Sequence, residues 1–260
     1  MIVTNRARAE AYKTLDLVHS APVEAGRRAL LLIDDSDQEA SAVARWVVGR
    51  SAYERADYVA ARVSLGHALR RSRGLDDVEA QIRVSLAALD LEVGHTASAM
   101  RQLGRAADVV SERFAGRVLQ QRSFVLFQLG RAREAVEVAD LAFPLLGRDE
   151  DAIFQARLLI NRGIAYLALD DLARAEVDFI ACRAVAVDAG QVFIVAAADH
   201  NLGFLAGRRG DIAGALHLYE QARDAYRELG DPGRVMPILE ADMSETLLTA
   251  GLLEIGRAHV

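Results

Sequence analysis

Asn161-Arg-Gly-Ile-Ala-Tyr166, followed by Ala175 and Phe179, returns forty residues later as Asn201-Leu-Gly-Phe-Leu-Ala206, followed by Ala215 and Tyr219. Gly163 matches Gly203, and Ala175 matches Ala215. Self-similarity at a fixed period marks a chain of units that each bury an apolar face only against their neighbours. The pattern therefore points to an all-α solenoid, and to binding rather than chemistry.

The period extends in both directions. A turn slot falls at Ser20, Ala56, Gly94, Gly130, Asp170, Gly210 and Gly251, with spacings of 36 to 41 residues. Five residues after all but the last comes a small residue: Ala25, Ala61, Ala99, Ala135, Ala175 and Ala215. Seven residues before the turn lies a second small slot, at Gly49, Ala87, Ser123, Gly163, Gly203 and Ser244. Small residues at both places let two antiparallel helices touch without side chains wedging them apart. The segments Arg73-Gly74-Leu-Asp-Asp77, Leu146-Gly147-Arg-Asp-Glu150 and Leu229-Gly-Asp-Pro-Gly233 would separate successive pairs. Each combines a glycine helix stop with acidic residues suited to the next helix start.

Small slots, an aromatic at Phe179 or Tyr219, and Ala222 three residues on resemble the tetratricopeptide repeat, over about Arg6 to Gly251. The likeness is strong over Gln155–Leu229 and weaker before Gly94, where Trp46 and Gly49 carry it. It implies a right-handed α-solenoid of antiparallel helix pairs, about six pairs plus an incomplete seventh, over residues 4–253. The repeats exceed the usual unit of roughly 34 residues, which implies extended helices or loops.

Composition agrees with closely packed helices. The chain is 52% hydrophobic but only 6% aromatic, with four prolines, and alanine lets backbones approach at no cost in helix propensity. The net charge of −6 excludes an overall attraction to phosphate. Lys13 is the only lysine, so the arginine richness reads as codon bias of a GC-rich genome, because no nucleic-acid motif accompanies it. No signal-peptide core and no apolar run of spanning length is present, so the expectation is a cytoplasmic bacterial protein without membrane or nucleic-acid partners. One cysteine builds no internal disulfide framework.

In tetratricopeptide repeats the first helix of each pair lines the concave face, and the residue two before the small slot points into the groove. That row is Ser85, Gln121, Asn161, Asn201 and Asp242. A ladder of amides hydrogen-bonds an extended peptide without reading its sequence. Just after the small slot come Ala88, Phe124, Ile164, Phe204 and Glu245, a mostly apolar stripe. Gln120, Ile160 and His200 flank it, with Arg117, Arg157 and Arg208 near the edges. Together these residues suit a protein or peptide ligand with apolar anchors and an acidic group. Alternatively, Asn161 and Asn201 satisfy neighbouring helix groups, while Phe124 and Phe204 pack between repeats. The family's lysine- and asparagine-based carboxylate clamp is not reproduced.

Catalytic and metal motifs are not found. Asp34-Asp-Ser-Asp37 and Asp149-Glu-Asp151 lack the glycine turn and distal glutamate of a calcium loop, and their place at helix starts favours capping. Cys182 reads as a small buried thiol. The histidines are scattered, and His200, the one placed in the groove, is expected to be solvent-exposed. No cofactor and no catalytic residue is expected, and nothing in the sequence sets an oligomeric state.

The segment His200 to Leu216, with Ala250-Gly-Leu-Leu253, resembles the repeat region of actinobacterial proteins carrying a caspase-like CHAT domain. That resemblance implies a recruiting or regulatory arm whose peptidase residues lie beyond residue 260. The seventh pair lacks a second helix, and Glu254-Ile-Gly-Arg-Ala-His-Val260 resembles a translated sequencing adapter. The expectation is a non-native tail on a fragment, with a frayed terminus as the alternative. The second functional reading is the peptide-sensing repeat domain of a transcriptional regulator, whose helix-turn-helix would lie downstream.

Overall fold

The computed structural model describes residues 2–18, 20–147, 151–230 and 235–251. Among them the chain is all helical: α1 (Ile2–Asp16), α2 (Pro22–Ala29), α3 (Gln38–Glu54), α4 (Tyr58–Arg71), α5 (Asp76–Glu92), α6 (Thr96–Val109), α7 (Glu112–Gln128), α8 (Ala132–Ala142), α9 (Ala152–Ala168), α10 (Leu172–Asp188), α11 (Val192–Arg208), α12 (Ile212–Glu228) and α13 (Met236–Thr249). The order is six pairs and one further helix, as the turn slots require. The described residues end at 251, so the expected non-native tail, residues 254–260, lies outside them.

The turns inside pairs share one geometry. At Ala56, Gly94, Gly130, Asp170 and Gly210 the backbone is left-handed, with φ between 58° and 85°. The amide of each donates to the carbonyl three residues back, as in Asp170 to Leu167 at 3.0 Å. The next amide reaches five back, as in Asp171 to Tyr166 at 2.9 Å. This Schellman closure satisfies carbonyls that a helix end leaves open. The carboxylates of Asp57, Asp171 and Asp211 then accept from the backbone of Ala60, Arg174 and Gly214, so one residue past the turn caps the second helix. After Ser20 the Ala21 amide donates four residues back, to the Leu17 carbonyl at 2.8 Å, and α2 starts at Pro22, whose fixed φ suits a first helical turn.

Between pairs the punctuation is less uniform. Gly74, Gly190 and Gly230 are left-handed, but Gly147 has φ −87°. There α8 instead tightens into a 3-10 turn, Phe143–Leu146, carrying Pro144. Residues 148–150 and 231–234 of the two later separators lie outside the described residues.

Two compact units divide the chain, residues 1–125 and 126–260. In the first, α3 packs antiparallel on α4 and α5 on α6, with α1 and α2 against α3. In the second, α9 pairs with α10 and α11 with α12, while α13 lies on α11 and α12. The small slots are where helices meet. A Cβ added at Gly163 would stand 2.5 Å from Phe179 Cε1, and one at Gly203 would stand 3.0 Å from Tyr219 Cδ1. Gly49 is filled in the same way by Leu65. Each knob, nine residues past the turn, is fully buried, so hole and knob sit at fixed register and the pair closes to interior density. Ala61, Ala99, Ala135, Ala175 and Ala215 are buried as well. Ser244, by contrast, is exposed and bonds only its own helix, at the Glu240 carbonyl.

Ion pairs on the buried carboxylates Asp90, Asp178 and Asp199 strap neighbouring helices. Arg162 on α9 forks onto Asp178 of α10 at 2.7 and 2.8 Å and reaches Asp140 of α8 at 2.7 Å. Arg183 on α10 meets Asp199 of α11, and Arg62 on α4 meets Asp90 of α5, both at 2.6 Å. Bidentate geometry makes the first of these directional as well as attractive. None of the described helices is long and apolar enough to cross a membrane.

Candidate functional site

The first helices of the pairs carry the residues expected to bind a ligand, and each unit is taken by itself. In the first unit α7 supplies four. Gln120 is buried, whereas Gln121 and Phe124 are half-buried. The Arg117 guanidinium lies 4.7 Å from the Phe114 ring centroid, and that of Arg113 lies 5.1 Å from it, so one aromatic ring orients two cations. Ser85 leaves the amide row altogether. It is buried, accepting from the Trp46 indole at 2.8 Å and donating to the Gln81 carbonyl. A donor on a large buried ring needs an acceptor, and the hydroxyl supplies it.

In the second unit α9 and α11 present the rest. Asn161 and Ile164 are half-buried on α9, and the Asn161 amide makes no hydrogen bond to another described residue. Ile160 packs beside Ala156 and Ala198, and Arg157 is half-buried near it on the same helix. On α11 the Asn201 Nδ2 donates to the Ala197 carbonyl at 2.7 Å, which leaves its Oδ1 as the outward acceptor. Phe204 packs against the Ala215–Tyr219 cluster while remaining part-exposed. Arg208 is exposed, 5.8 Å from the Phe204 ring centroid and 3.5 Å from Asp170.

His200 departs from expectation. It is buried, only 8% exposed, rather than facing solvent. Its Nε2 lies 2.8 Å from Asp242 Oδ2 on α13, and its ring stands edge-on to Tyr219 at 5.8 Å. Asp242, the last rung of the expected ladder, is therefore engaged in tying α13 to α11. Neither the hydrophobic pattern nor the spacing reveals that pair, because the partners are distant in sequence and belong to different helices.

Asp37 and Cys182 are engaged in structure. Asp37 caps α3 by accepting from Ala40, and is held by Arg8 through three contacts of 2.8 to 3.0 Å. The Arg8 guanidinium lowers the Asp37 carboxyl below its ordinary value. Asp151 precedes α9 without a capping bond, and Asp149 and Glu150 lie outside the described residues. Cys182 is buried and donates to the Ala156 carbonyl; burial pushes its thiol up to about 12, far from a nucleophile's range. One feature escaped sequence reasoning: Arg117 and Phe114 line a cavity with Tyr12, Asp16, Glu39 and Asp76. These residues come from four helices, and only the acidic helix starts at Glu39 and Asp76 hinted at it.

No family model matches the chain, and no curated protein sequence matches it. Solved structures do resemble it. A Rap protein complexed with Competence and Sporulation Factor superposes with a TM-score of 0.71 at 15% identity, covering 96% of this chain and 76% of that one. A signal transduction ATPase with numerous domains, bearing a tetratricopeptide repeat sensor, from Pyrococcus horikoshii gives 0.73 at 15%, over 95% and 38%. Cut9–Hcn1, a hetero-tetramer of the APC/C, gives 0.69 at 14%, over 94% and 46%. At such identities the likeness speaks for the fold. This chain accordingly has the all-α helical-repeat fold of the tetratricopeptide type.

Proposed function

We propose that the chain is a protein-interaction scaffold that holds an extended peptide or partner segment on the first helices of its pairs. The observation that carries this is the row Asn161, Ile164, Asn201 and Phe204 on α9 and α11, half-buried and therefore reachable. Asn161 offers both donors and its acceptor, and Asn201 offers its carbonyl. Such groups bond a peptide backbone, while Ile164 and Phe204 accept an apolar side chain beside it. Phe204 serves core and surface together, so its outer edge alone is free for a ligand. Among the described residues Asp37, Cys182 and His200 are each engaged in structural contacts, which favours a binding role. A fold of this kind is found in a Rap protein complexed with another factor and in a multi-chain APC/C assembly, and both precedents favour a partner-holding role.

Two finer readings belong here. The resemblance of residues 200–216 to repeats of CHAT-domain proteins supports a recruiting arm of a longer caspase-like peptidase. The Rap complex and the repeat sensor of the signal transduction ATPase support a sensing domain of a regulator instead. Sequencing the source gene separates them, since a downstream His and Cys pair supports the first and a helix-turn-helix the second. The scaffold itself is tested on a peptide array, by comparing the intact chain with the Asn161→Ala, Asn201→Ala double variant. The expected result is a loss of about tenfold or more in affinity for captured peptides. Unchanged affinity, with the helical signal intact by circular dichroism, would overturn the amide row.

A further inference from the structure

In the second unit the outer surface of α10 is apolar. Ala173, Val177, Ile180, Ala184 and Val187 are all exposed, and the three larger side chains are 54–66% exposed. The core side of the same helix is formed instead by Cys182 and Ala186, with Ala181 and Val185 beside them. The five exposed residues follow one another at 4, 3, 4 and 3 positions. That spacing is the narrow seam one helix presents to another, not the broader stripe it presents to a core.

The repeat does not demand this stripe. Forty residues earlier the corresponding positions on α8 are Arg133, Glu137 and Asp140, all exposed. Forty residues later, on α12, they are His217, Glu220, Asp224 and Arg227, also exposed. Helices at the same place in the repeat thus carry the charged surface that water favours, and α10 replaces it with valine and isoleucine. A contiguous apolar patch on an otherwise polar surface marks an interaction site.

Size and sign together identify what covers it. Read in the opposite direction, the stripe complements itself: Ala173 falls beside Val187, Val177 beside Ala184, and Ile180 beside Ile180. Each small side chain then meets a larger one, so the rungs interdigitate. A parallel pairing would set alanine against alanine at two rungs and leave gaps there. The flanking charges follow the same antiparallel order, with Arg174 of one copy near Asp188 of the other and Glu176 near Arg183. Arg174, Glu176 and Arg183 keep their internal partners Asp171, Arg209 and Asp199. None of them has to be vacant, because complementary sign steers the approach while the apolar rungs hold it. A two-fold axis makes every such contact twice.

We propose that α10 is a homodimer surface, on which two copies of this chain pack α10 antiparallel about a two-fold axis at Ile180. The surface uses neither α9 nor α11, so it stands independently of the peptide-holding row.

Sedimentation velocity of the intact chain over roughly 1–200 µM tests it. The mass should rise with concentration from 28.2 kDa toward twice that value. Ile180→Arg, with its fold checked by circular dichroism, should raise the dimer dissociation constant about tenfold or more, whereas Glu220→Ala on α12 should leave it unchanged. Val177→Ser with Val187→Ser repeats the test with smaller changes. Direction is read by crosslinking under mild oxidation, the native Cys182 being buried. Ile180→Cys should join to its own copy. Val187→Cys should not, since the antiparallel pair holds its two copies about 20 Å apart along the axis, but it should join Ala173→Cys when the two variants are mixed. A monomer across the whole range, or a dimer indifferent to both Ile180→Arg and the double serine variant, would overturn the surface. Val187→Cys joining itself and not Ala173→Cys would overturn the antiparallel arrangement.

Discussion

Gly163 lacks a side chain because the Phe179 ring stands where one would begin, with Cε1 2.5 Å from the nearest Cβ position. The ring cannot withdraw, since Phe179 is fully buried between helices. Gly163→Leu should therefore overpack α9 against α10 and destabilise the protein by about 1–3 kcal/mol, read from the midpoint shift in urea. A neutral result would mean that the ring has somewhere to go. Single residues also explain where the repeat tolerates imperfect chemistry. Ala56 and Asp170 take a left-handed φ of 58° where most of the pairs use glycine. A Cβ there costs something, though aspartate bears it better than most residues. The turn survives because the Schellman bonds at Ala56 and Asp170 form as they do at Gly94 and Gly210.

At the scale of the element, α3, α4, α10 and α12 begin on a capping aspartate, and several helices are joined to a neighbour by charge. Asp37 does both for α3: it caps the first turn and grips Arg8 of α1. Its folded carboxyl titrates below the ordinary value of about 3.9. The Arg8 contact therefore contributes stability above that ordinary value, and loses it as pH falls through the lowered one. Asp37→Asn keeps a capable cap but discards the charge. The variant should be less stable at neutral pH by up to about 1 kcal/mol, since Arg8 is half-exposed and screened. The deficit should vanish in strong acid, as measured by thermal unfolding across pH. A deficit that persists unchanged there would assign the effect to packing. α13 depends on comparable links, His200 to Asp242 and Tyr219 to Thr246 at 3.4 Å.

For the whole molecule, locality is the governing property. Within each unit helices contact only those one or two places along the chain, so a defect should stay near its origin. Gly163→Leu should raise amide exchange in α9 and α10 while leaving α3–α6 as protected as before, by hydrogen-exchange mass spectrometry. Uniform loss of protection along the chain would mean global cooperativity instead. The period, the helix pairing and the slots at Gly49, Gly163 and Gly203 were legible in the amino-acid order, because 3.6-residue helices at a fixed repeat bring the same offsets together each time. The buried fate of Cys182 was legible too, from its place three residues after Phe179. The site was less so. Gln121, Asn161 and Asn201 are reachable, but Ser85 is taken by Trp46 and His200 by Asp242. Sequence by itself determined which positions are small, apolar or left-handed, since those demands repeat within a local unit. Tertiary structure alone decided which polar groups stay open to a ligand, and that Asp16, Asp76, Arg113 and Phe114 share one cavity. A hydrogen bond or ion pair between distant helices depends on where two side chains end, and no periodicity in the chain encodes that.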